Sequence, residues 1–297
     1  MSKQSDTKKG ILLLLLSALI YSIMPVLIRF LGSHGIPPIS QVALRYVFAF
    51  VSASGYFFFI AKTKFSLPKK QLPLLLYSAI VGYGLTTVFF TLSILNTFVS
   101  TALFINYLYA IMTPLLGFIL LKDKLNKFNS ISLMLSFIAL MLLFKPTSIE
   151  TWRLGAAFAL LSALTTTTYL IARKKLPEYR ASYLMLLNTF LGMLSVGLLG
   201  IIFEPAFYFG GGILHISANT WLVTILFGIG NFLAWLLMTK GFEYFRATGA
   251  SIVLLSELVF AVFFAFLFFH EIPTIATVIG GLLIIFASVL VILKGKT

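Results

Sequence analysis

Ten long apolar blocks, separated by short polar segments, occupy most of this sequence of 297 residues. A helix needs roughly 20 residues to cross a hydrocarbon core of about 30 Å, and the blocks can be divided at about that length. Because a bilayer core offers no partner for backbone N–H and C=O groups, such blocks are expected to span it as helices. The predicted spans are residues 11–31, 39–61, 72–94, 98–121, 129–144, 155–173, 182–203, 220–239, 248–269 and 274–293.

The composition agrees with an all-α, polytopic membrane protein of ten transmembrane helices. Hydrophobic residues make up 60% of the chain and charged residues 10%, whereas an ordinary soluble domain is near half apolar and a quarter charged. In a soluble protein, a net charge of +14 would suggest a nucleic-acid partner. Here the lysines and arginines lie mostly between apolar blocks. We therefore predict the lipid bilayer, and no nucleic acid, as a partner. Cysteine is absent, which excludes disulfides and thiolate metal sites.

The polar segments alternate between basic and nearly uncharged. Short cytoplasmic loops retain Lys and Arg, so the basic set marks the cytoplasmic side. The basic segments are the N-terminus, every second connection and the C-terminal tail. Their basic residues are Lys3, Lys8, Lys9, Lys62, Lys64, Lys69, Lys70, Lys122, Lys124, Lys127, Arg173, Lys174, Lys175, Arg180, Lys240, Arg246, Lys294 and Lys296. The opposite loops hold only Lys145 and Arg153. Both termini are therefore predicted to be cytoplasmic, in a multi-pass protein of the cell membrane.

Two local features fit that orientation. The segment MSKQSDTKKG leads into an apolar run of about 20 residues, which is longer than a signal-peptide core and lacks a small-residue cleavage site. The first span is therefore expected to be retained. Trp152 and Trp221 begin spans six and eight at the predicted outer face, where an amphipathic indole suits the membrane interface.

The second half of the sequence repeats features of the first half in the same order. The matched pairs are LLSAL at 15–19 and 160–164, Gly10 and Gly155, Gly82-Tyr83-Gly84 and Gly228-Ile229-Gly230, and Lys122-Asp123 and His270-Glu271. Five spans in each half is an odd number, so the second copy must enter the membrane from the opposite side. We predict two inverted five-helix repeats, residues 1–147 and 148–297. Inverted repeats that meet at a midplane site are a recurrent transporter design.

Glu257 lies in the middle of the otherwise apolar segment SIVLLSELVFAVFFAFLFF. It is about ten residues into span nine, which places it roughly 15 Å along the helix axis and near the bilayer midplane. A charge there costs roughly 3 kcal/mol on insertion scales, so the side chain is expected to face the bundle interior. Arg45, inside the outer end of span two, is the nearest plausible cationic partner. The structural alternatives are that Glu257 serves only the fold as a buried acid, and that Arg45 extends its side chain to the membrane interface.

Other polar and aromatic side chains are predicted to form a central cavity with Glu257. Asn106, Tyr109 and Thr113 fall at i, i+3 and i+7 of span four and so share one face, and the repeat aligns Tyr109 with Glu257. Tyr21 lies four residues before Pro25, so its carbonyl loses its usual helical donor. The complete set of predicted substrate-binding or coupling residues is Glu257, Arg45, Tyr109, Asn106, Trp235, Asn231, Tyr21, Tyr83 and Tyr169.

Each of these residues also has a structural interpretation. Asn231 and Trp235 are spaced i, i+4 in span eight, Tyr83 lies between two glycines, and Tyr169 follows the run 165–168 of four threonines. Aromatic residues at helical spacing are more often packing residues than ligand contacts. Asparagine amides can simply hydrogen-bond between helices. We expect the threonine run itself to serve helix packing.

The chain resembles the drug/metabolite transporter superfamily, and specifically its EamA-type ten-helix members, over nearly its full length. The matching residues are Pro38 through Arg45-Tyr46, Thr113-Pro114 with Asp123, and Ser256-Glu257-Leu258 with His270-Glu271. Family members usually show Glu-Pro in place of Glu257-Leu258 and Gly-Glu in place of His270-Glu271. The resemblance implies a transporter whose two halves are EamA-type repeats, and it implies export of amino acids or related metabolites.

Several functional classes are disfavoured by missing motifs. No Gly-x-x-x-x-Gly-Lys-Ser/Thr loop occurs, so transport is expected to be secondary or passive. His34, His215 and His270 do not have zinc-protease spacing, and Asp6 and Asp123 lie outside the spans, which disfavours aspartyl chemistry. We predict no catalytic residues, no metal and no cofactor.

The leading hypothesis is a secondary transporter of small metabolites that works by alternating access around a central cavity. A cavity of aromatic groups with one carboxylate suits a zwitterion or an amphiphilic cation, since an ammonium group can rest on an aromatic face. Amino acids are the first expectation, with protons as a candidate coupling ion and either a monomer or a homodimer. The alternatives are a lipid or lipid-linked sugar translocase, for which only Arg29 and Arg45 could bind a phosphate, a membrane enzyme using Glu257, and a scaffold or receptor.

Overall fold

The computed structural model of this chain is built from helices. It describes residues 2–62, 71–97, 99–122, 126–144, 154–244, 247–269, 272 and 274–294. No strand occurs in these residues, so the predicted all-α class is confirmed for them. Of the predicted features, Asp123, Trp152, His270-Glu271 and most of the basic loop after span two lie outside the described residues.

The α-helices vary in length because several apolar segments are divided. In chain order they are α1 (Ser2–Tyr21), α2 (Met24–Ser33), α3 (Pro38–Gly55), α4 (Leu72–Tyr77), α5 (Thr86–Asn96), α6 (Val99–Asn106), α7 (Tyr109–Leu120), α8 (Lys127–Phe144), α9 (Leu154–Lys175), α10 (Ala181–Phe203), α11 (Pro205–Phe209), α12 (Ala218–Tyr244), α13 (Ala247–Leu254), α14 (Ser256–Phe269) and α15 (Ile275–Lys294). Two π-helical segments, Tyr56–Ala61 and Ser78–Leu85, continue α3 and join α4 to α5.

Eight helical segments of the described chain are long and apolar enough to cross a membrane. They are Lys8–Ser33, Pro38–Ala61, Leu72–Asn96, Thr101–Leu120, Leu154–Lys175, Ala181–Phe203, Ala218–Tyr244 and Ile275–Lys294. The predicted fifth and ninth spans correspond to shorter apolar segments, Lys127–Leu143 and Gly249–Phe264. The predicted eighth span, residues 220–239, runs on to Tyr244, because Lys240 and Glu243 bond to polar groups of other helices there.

Three of the predicted spans contain a break near their middle. Span one breaks at residues 22–23, next to Pro25, as expected where a proline cannot donate to the helix. Span four breaks at Tyr107 and Leu108, and span nine breaks at Leu255. Tight i to i−3 bonds bridge the latter two breaks, from Leu108 N to Ile105 O at 3.2 Å and from Leu255 N to Ile252 O at 3.1 Å.

The helices pack in a few extended pairs. The strongest pairings are α1 with α12, α5 with α9, α3 with α10, α8 with α15 and α7 with α13. Glycine permits the close contact of α12 with α3. A Cβ atom on Gly228 would lie 2.7 Å from the Arg45 carbonyl oxygen and 2.6 Å from the Phe48 Cβ, so no larger residue fits while the two backbones stay this close.

Polar bonds connect the helix ends on one side of the bundle. The Glu204 carboxylate, after α10, accepts hydrogen bonds from the backbone N–H groups of Ile39 at 2.9 Å and Ser40 at 2.7 Å, and from the Ser40 hydroxyl at 2.6 Å. Glu204 therefore caps α3 from a distant part of the chain, where the first N–H groups of the helix lack intrahelical acceptors.

A second group of polar bonds joins α9, α12 and the π-helical end of the second span. The Arg173 guanidinium of α9 donates to the Glu243 carboxylate of α12 at 2.7 Å, and the Lys174 ammonium donates to the Phe242 carbonyl. The Lys240 ammonium of α12 bonds to the Tyr56 hydroxyl. These contacts hold α9, α12 and the end of the second span together.

Candidate functional site

A cavity lies where the three broken spans meet. The cavity has a volume of about 80 Å³. Residues beside each break line it: Tyr21 and Met24 in span one, Asn106, Tyr107 and Tyr109 in span four, and Leu254 and Glu257 in span nine. The breaks therefore place irregular backbone around a cavity, where polar backbone groups are tolerated inside a membrane protein.

Glu257 occupies the first turn of α14 and is only 7% exposed. The break at Leu255 starts a new helix just before Glu257, and the N-terminal end of a helix favours a negative charge. The Tyr107 hydroxyl hydrogen-bonds to the carboxyl group. Glu257 thus faces the bundle interior, as predicted, and lines the cavity.

Arg45 lines the same cavity and is 1% exposed. Its Nη2 donates to the Thr91 hydroxyl at 3.0 Å, and its guanidinium carbon lies 4.3 Å from the centre of the Phe227 ring, a cation–π contact. It forms no ion pair with Glu257 within the described residues, so the predicted direct pairing of these two side chains is wrong. The guanidinium is engaged by Thr91 and Phe227 instead.

Trp235 is the centre of an aromatic cluster. Its ring lies 6.1 Å from the Tyr21 ring, 4.7 Å from the Tyr83 ring and 4.7 Å from the Tyr169 ring, each in an edge-on arrangement. Such pairs contribute about 0.5–1.5 kcal/mol each beyond area burial. Trp235 and Tyr21 line the cavity, whereas Tyr83 and Tyr169 pack behind Trp235.

The hydroxyls of Tyr83 and Tyr169 both bond to other side chains of the bundle. The Tyr83 hydroxyl accepts from Asn231 Nδ2 at 3.0 Å, and the Tyr169 hydroxyl bonds to Thr239 at 3.1 Å. Asn231 itself lines the cavity, although its amide nitrogen is engaged by Tyr83. Seven of the nine predicted residues therefore line the cavity, and the other two support its wall.

Several buried polar atoms near the cavity have no hydrogen-bond partner in the part of the chain that the structure describes. They include the Tyr21 hydroxyl, Asn106 Oδ1 and Arg45 Nε, whose side chains all line the cavity. An unpaired buried donor or acceptor costs about 1–3 kcal/mol. These atoms are therefore the positions at which a solute or water would be bound.

Sequence reasoning missed a further group of lining residues. They are Met24, Thr86, Thr87, Phe90, Tyr107, Ser162, Thr166, Met238 and Leu254. Tyr107 lies outside the i, i+3, i+7 face predicted for an unbroken span four, but span four is broken at Tyr107, whose hydroxyl bonds to Glu257, and Thr113 does not line the cavity. Thr166 belongs to the threonine run for which we predict a role in helix packing.

The structure also bears on the other predicted chemistries. Arg29, the second candidate for a phosphate group, does not line the cavity, and its Nη2 donates to the Thr97 carbonyl at 3.0 Å. Among the described residues, no group of three or more His, Asp or Glu side chains could hold a metal ion.

Comparison with known proteins places the chain among transporters. The sequence model of the EamA-like transporter family matches residues 8–145 and 153–293. A pseudopaline exporter of Pseudomonas aeruginosa is 21% identical over 285 residues, 95% of each chain. A probable transport protein of Saccharomyces cerevisiae is 25% identical over 245 residues, 73% of this chain and 67% of its own. One crystal structure has a TM-score of 0.76 at 15% identity and covers 96% of this chain and 97% of its own, which shows a shared fold.

Proposed function

We propose that this chain, which belongs to the EamA-like transporter family, is a secondary transporter that moves small metabolites, amino acids first, through the central cavity by alternating access. One observation carries the proposal: three broken spans meet around a cavity that contains the buried Glu257 carboxyl. Discontinuous helices around a midplane site are the usual construction of secondary transporters. The named relatives are transporters rather than enzymes.

Helix packing supports a ten-span architecture of two inverted repeats, 1–147 and 148–297. If the first five spans correspond to the last five, α1 corresponds to α9, and α5 corresponds to α12. The repeat then relates the α1–α12 pair to the α9–α5 pair. The α3–α10 pair and the α8–α15 pair each join two spans that correspond in the repeat. This is the contact pattern that a two-fold axis in the membrane plane would produce.

Local details follow the same correspondence. With Tyr109 aligned to Glu257, the break at Leu255 falls opposite Tyr107, in the break of span four. A Cβ atom on Gly155 would lie 2.7 Å from the Asn96 carbonyl carbon at the end of α5. The equivalent glycine of the first half, Gly10, lies close to Gly241 near the end of α12.

The direction of transport is proposed to be outward, across a cytoplasmic membrane with both chain termini on the cytoplasmic side. The exporter relative and the alternation of basic connections support this direction and orientation. Glu257 is proposed as the coupling acid, which exchanges a proton during the cycle.

Counterflow in proteoliposomes tests the transport function. Vesicles loaded with an unlabelled amino acid should take up the same labelled amino acid transiently, whereas protein-free vesicles should not, because exchange needs only a carrier and no energy source. The measurement uses the twenty common amino acids one at a time. Absence of exchange for all of them would refute the amino-acid assignment, and absence for other small metabolites as well would refute the transporter assignment.

Cysteine labelling tests the orientation, because the native chain has no cysteine to give a background. We expect His34→Cys and Ser217→Cys, both exposed and on the proposed outer side, to react with a membrane-impermeant maleimide on intact cells. Lys122→Cys and Glu178→Cys, exposed on the proposed inner side, should react only after permeabilisation. Labelling of His34→Cys and Ser217→Cys from different sides would contradict the proposed topology.

A further inference from the structure

A buried guanidinium and a buried carboxyl group line the central cavity without pairing. The Arg45 guanidinium is 1% exposed and the Glu257 carboxyl 7% exposed, and both contribute to the cavity lining. Within the part of the chain that the structure describes, neither side chain has an ion-pair partner. A charge removed from water is costly unless an opposite charge or several hydrogen bonds compensate it.

The compensation that the protein supplies is incomplete at both positions. Among the described residues, Arg45 has one hydrogen bond, to Thr91, and one aromatic contact, to Phe227, while its Nε has no acceptor there. The Glu257 carboxyl group accepts a hydrogen bond from the Tyr107 hydroxyl, whereas a carboxylate can accept about four hydrogen bonds. Both sites therefore retain capacity for a group that a ligand would bring.

Tyr21 lines the cavity together with Arg45 and Glu257. Among the described residues its hydroxyl has no hydrogen-bond partner, and its ring packs edge-on to Trp235. The cavity that contains the guanidinium and the carboxyl group is thus bordered by an unpaired hydroxyl and by aromatic surface.

We propose that the cavity binds its substrate as a zwitterion, with the substrate carboxylate at Arg45 and the substrate ammonium at Glu257. This rests on the proposed transport function and specifies the substrate class and the role of each charge. While Glu257 is ionised, a simple anion would leave its charge uncompensated and a simple cation would leave the charge of Arg45 uncompensated. Only a solute with both charges compensates both side chains in that state. The Trp235 ring offers an additional surface for the ammonium group.

Binding can be measured without transport, because Trp235 lines the cavity. A Trp152→Phe, Trp221→Phe background leaves it as the only tryptophan, and its fluorescence is titrated with matched compounds. The compounds are L-leucine, L-leucinamide, which lacks the carboxylate, and L-2-hydroxy-4-methylpentanoate, which lacks the ammonium, together with the same three forms built on L-phenylalanine. We expect at least one zwitterion to bind about tenfold or more tightly than its amide and its hydroxy acid, as charge-assisted hydrogen bonds would give.

The two charge-removing variants should change this preference in opposite ways. Arg45→Gln should bind the zwitterion and the amide about equally but still disfavour the hydroxy acid. Glu257→Gln should bind the zwitterion and the hydroxy acid about equally but still disfavour the amide. Arg45→Lys keeps the charge and should restore the preference for the carboxylate.

Thr91→Val is the matched control for a structural role of Arg45. It removes the hydrogen bond to Arg45 and keeps the charge, so it should retain the preference for the zwitterion. If Thr91→Val reproduces Arg45→Gln, or if Arg45→Gln weakens all three compounds equally, Arg45 is structural and the proposal is wrong. If neither zwitterion binds while counterflow detects another solute, the zwitterion proposal fails and the transporter proposal stands.

Discussion

Replacing Glu257 with glutamine is expected to abolish accumulation driven by a proton gradient while exchange at saturating solute continues. Glutamine keeps the shape of the side chain and can still accept the Tyr107 hydrogen bond, but it cannot take up and release a proton. Exchange needs only that the loaded carrier changes its orientation, whereas accumulation needs the return step to carry a proton. The measurement compares the two modes in the same proteoliposomes, with and without an imposed pH difference.

Glu178→Gln is the matched control for this experiment. Glu178 is an exposed residue in the connection between α9 and α10 and lies far in sequence from the cavity lining, so the same chemical change there should leave both modes intact. Gradient-driven accumulation that survives in Glu257→Gln would refute Glu257 as the coupling acid. Loss of both modes in a folded Glu257→Gln protein would make the carboxyl necessary for the movement itself rather than for coupling.

The zwitterion proposal and the coupling proposal share one carboxylate. If Glu257 binds either a proton or the substrate ammonium, the two cations compete for the same oxygen atoms, and each membrane crossing carries one of them. Competition of this kind gives proton–substrate antiport without a second acid in the cavity. It also fits export, because protons that enter the cell would displace substrate from the carboxylate.

The fold was predictable where it depends on hydrophobic length. A run of about 20 apolar residues has few options in a bilayer, so the described helices follow the predicted spans to within a few residues over most of the chain. The break at Leu255 was not predicted, because no proline or glycine lies within the segment 250–260. At the break the Ser256 hydroxyl bonds to the Val253 carbonyl, which competes with the helical ladder, and α13 packs against α7 beside it. A single sequence displays neither contact.

Part of the cavity lining was predictable from the apolar character of the spans. Polar groups in apolar spans must face inward, which was enough to identify Glu257, Arg45 and Asn106 as interior residues. Their mutual geometry was not predictable. Tyr107 was missed because it faces Glu257 only after the helix is broken, and the pairing of Arg45 with Glu257 was wrong, since Thr91 and Phe227 engage the guanidinium instead.

Gly228→Ala is expected to reduce both stability and transport, although alanine is the better helix former. The new Cβ atom would lie 2.7 Å from the Arg45 carbonyl oxygen and 2.6 Å from the Phe48 Cβ, so α3 must move away from α12. Overpacking of this kind costs about 1–3 kcal/mol, against a gain of about 1 kcal/mol in helix propensity. The displaced segment carries Arg45, so solute affinity should fall together with the thermal midpoint in detergent.

Gly230→Ala, two residues further along the same helix, separates the steric effect from helix propensity. A Cβ atom there would meet only the Ile20 side chain at 3.7 Å, an ordinary contact, so the gain in propensity should appear alone and the thermal midpoint should hold or rise. Equal behaviour of the two variants would mean that the approach of α3 to α12 does not position Arg45. If only Gly228→Ala loses solute affinity, while Gly230→Ala is unchanged in counterflow, the backbone contact between α3 and α12 positions Arg45, the residue that we assign to the substrate carboxylate.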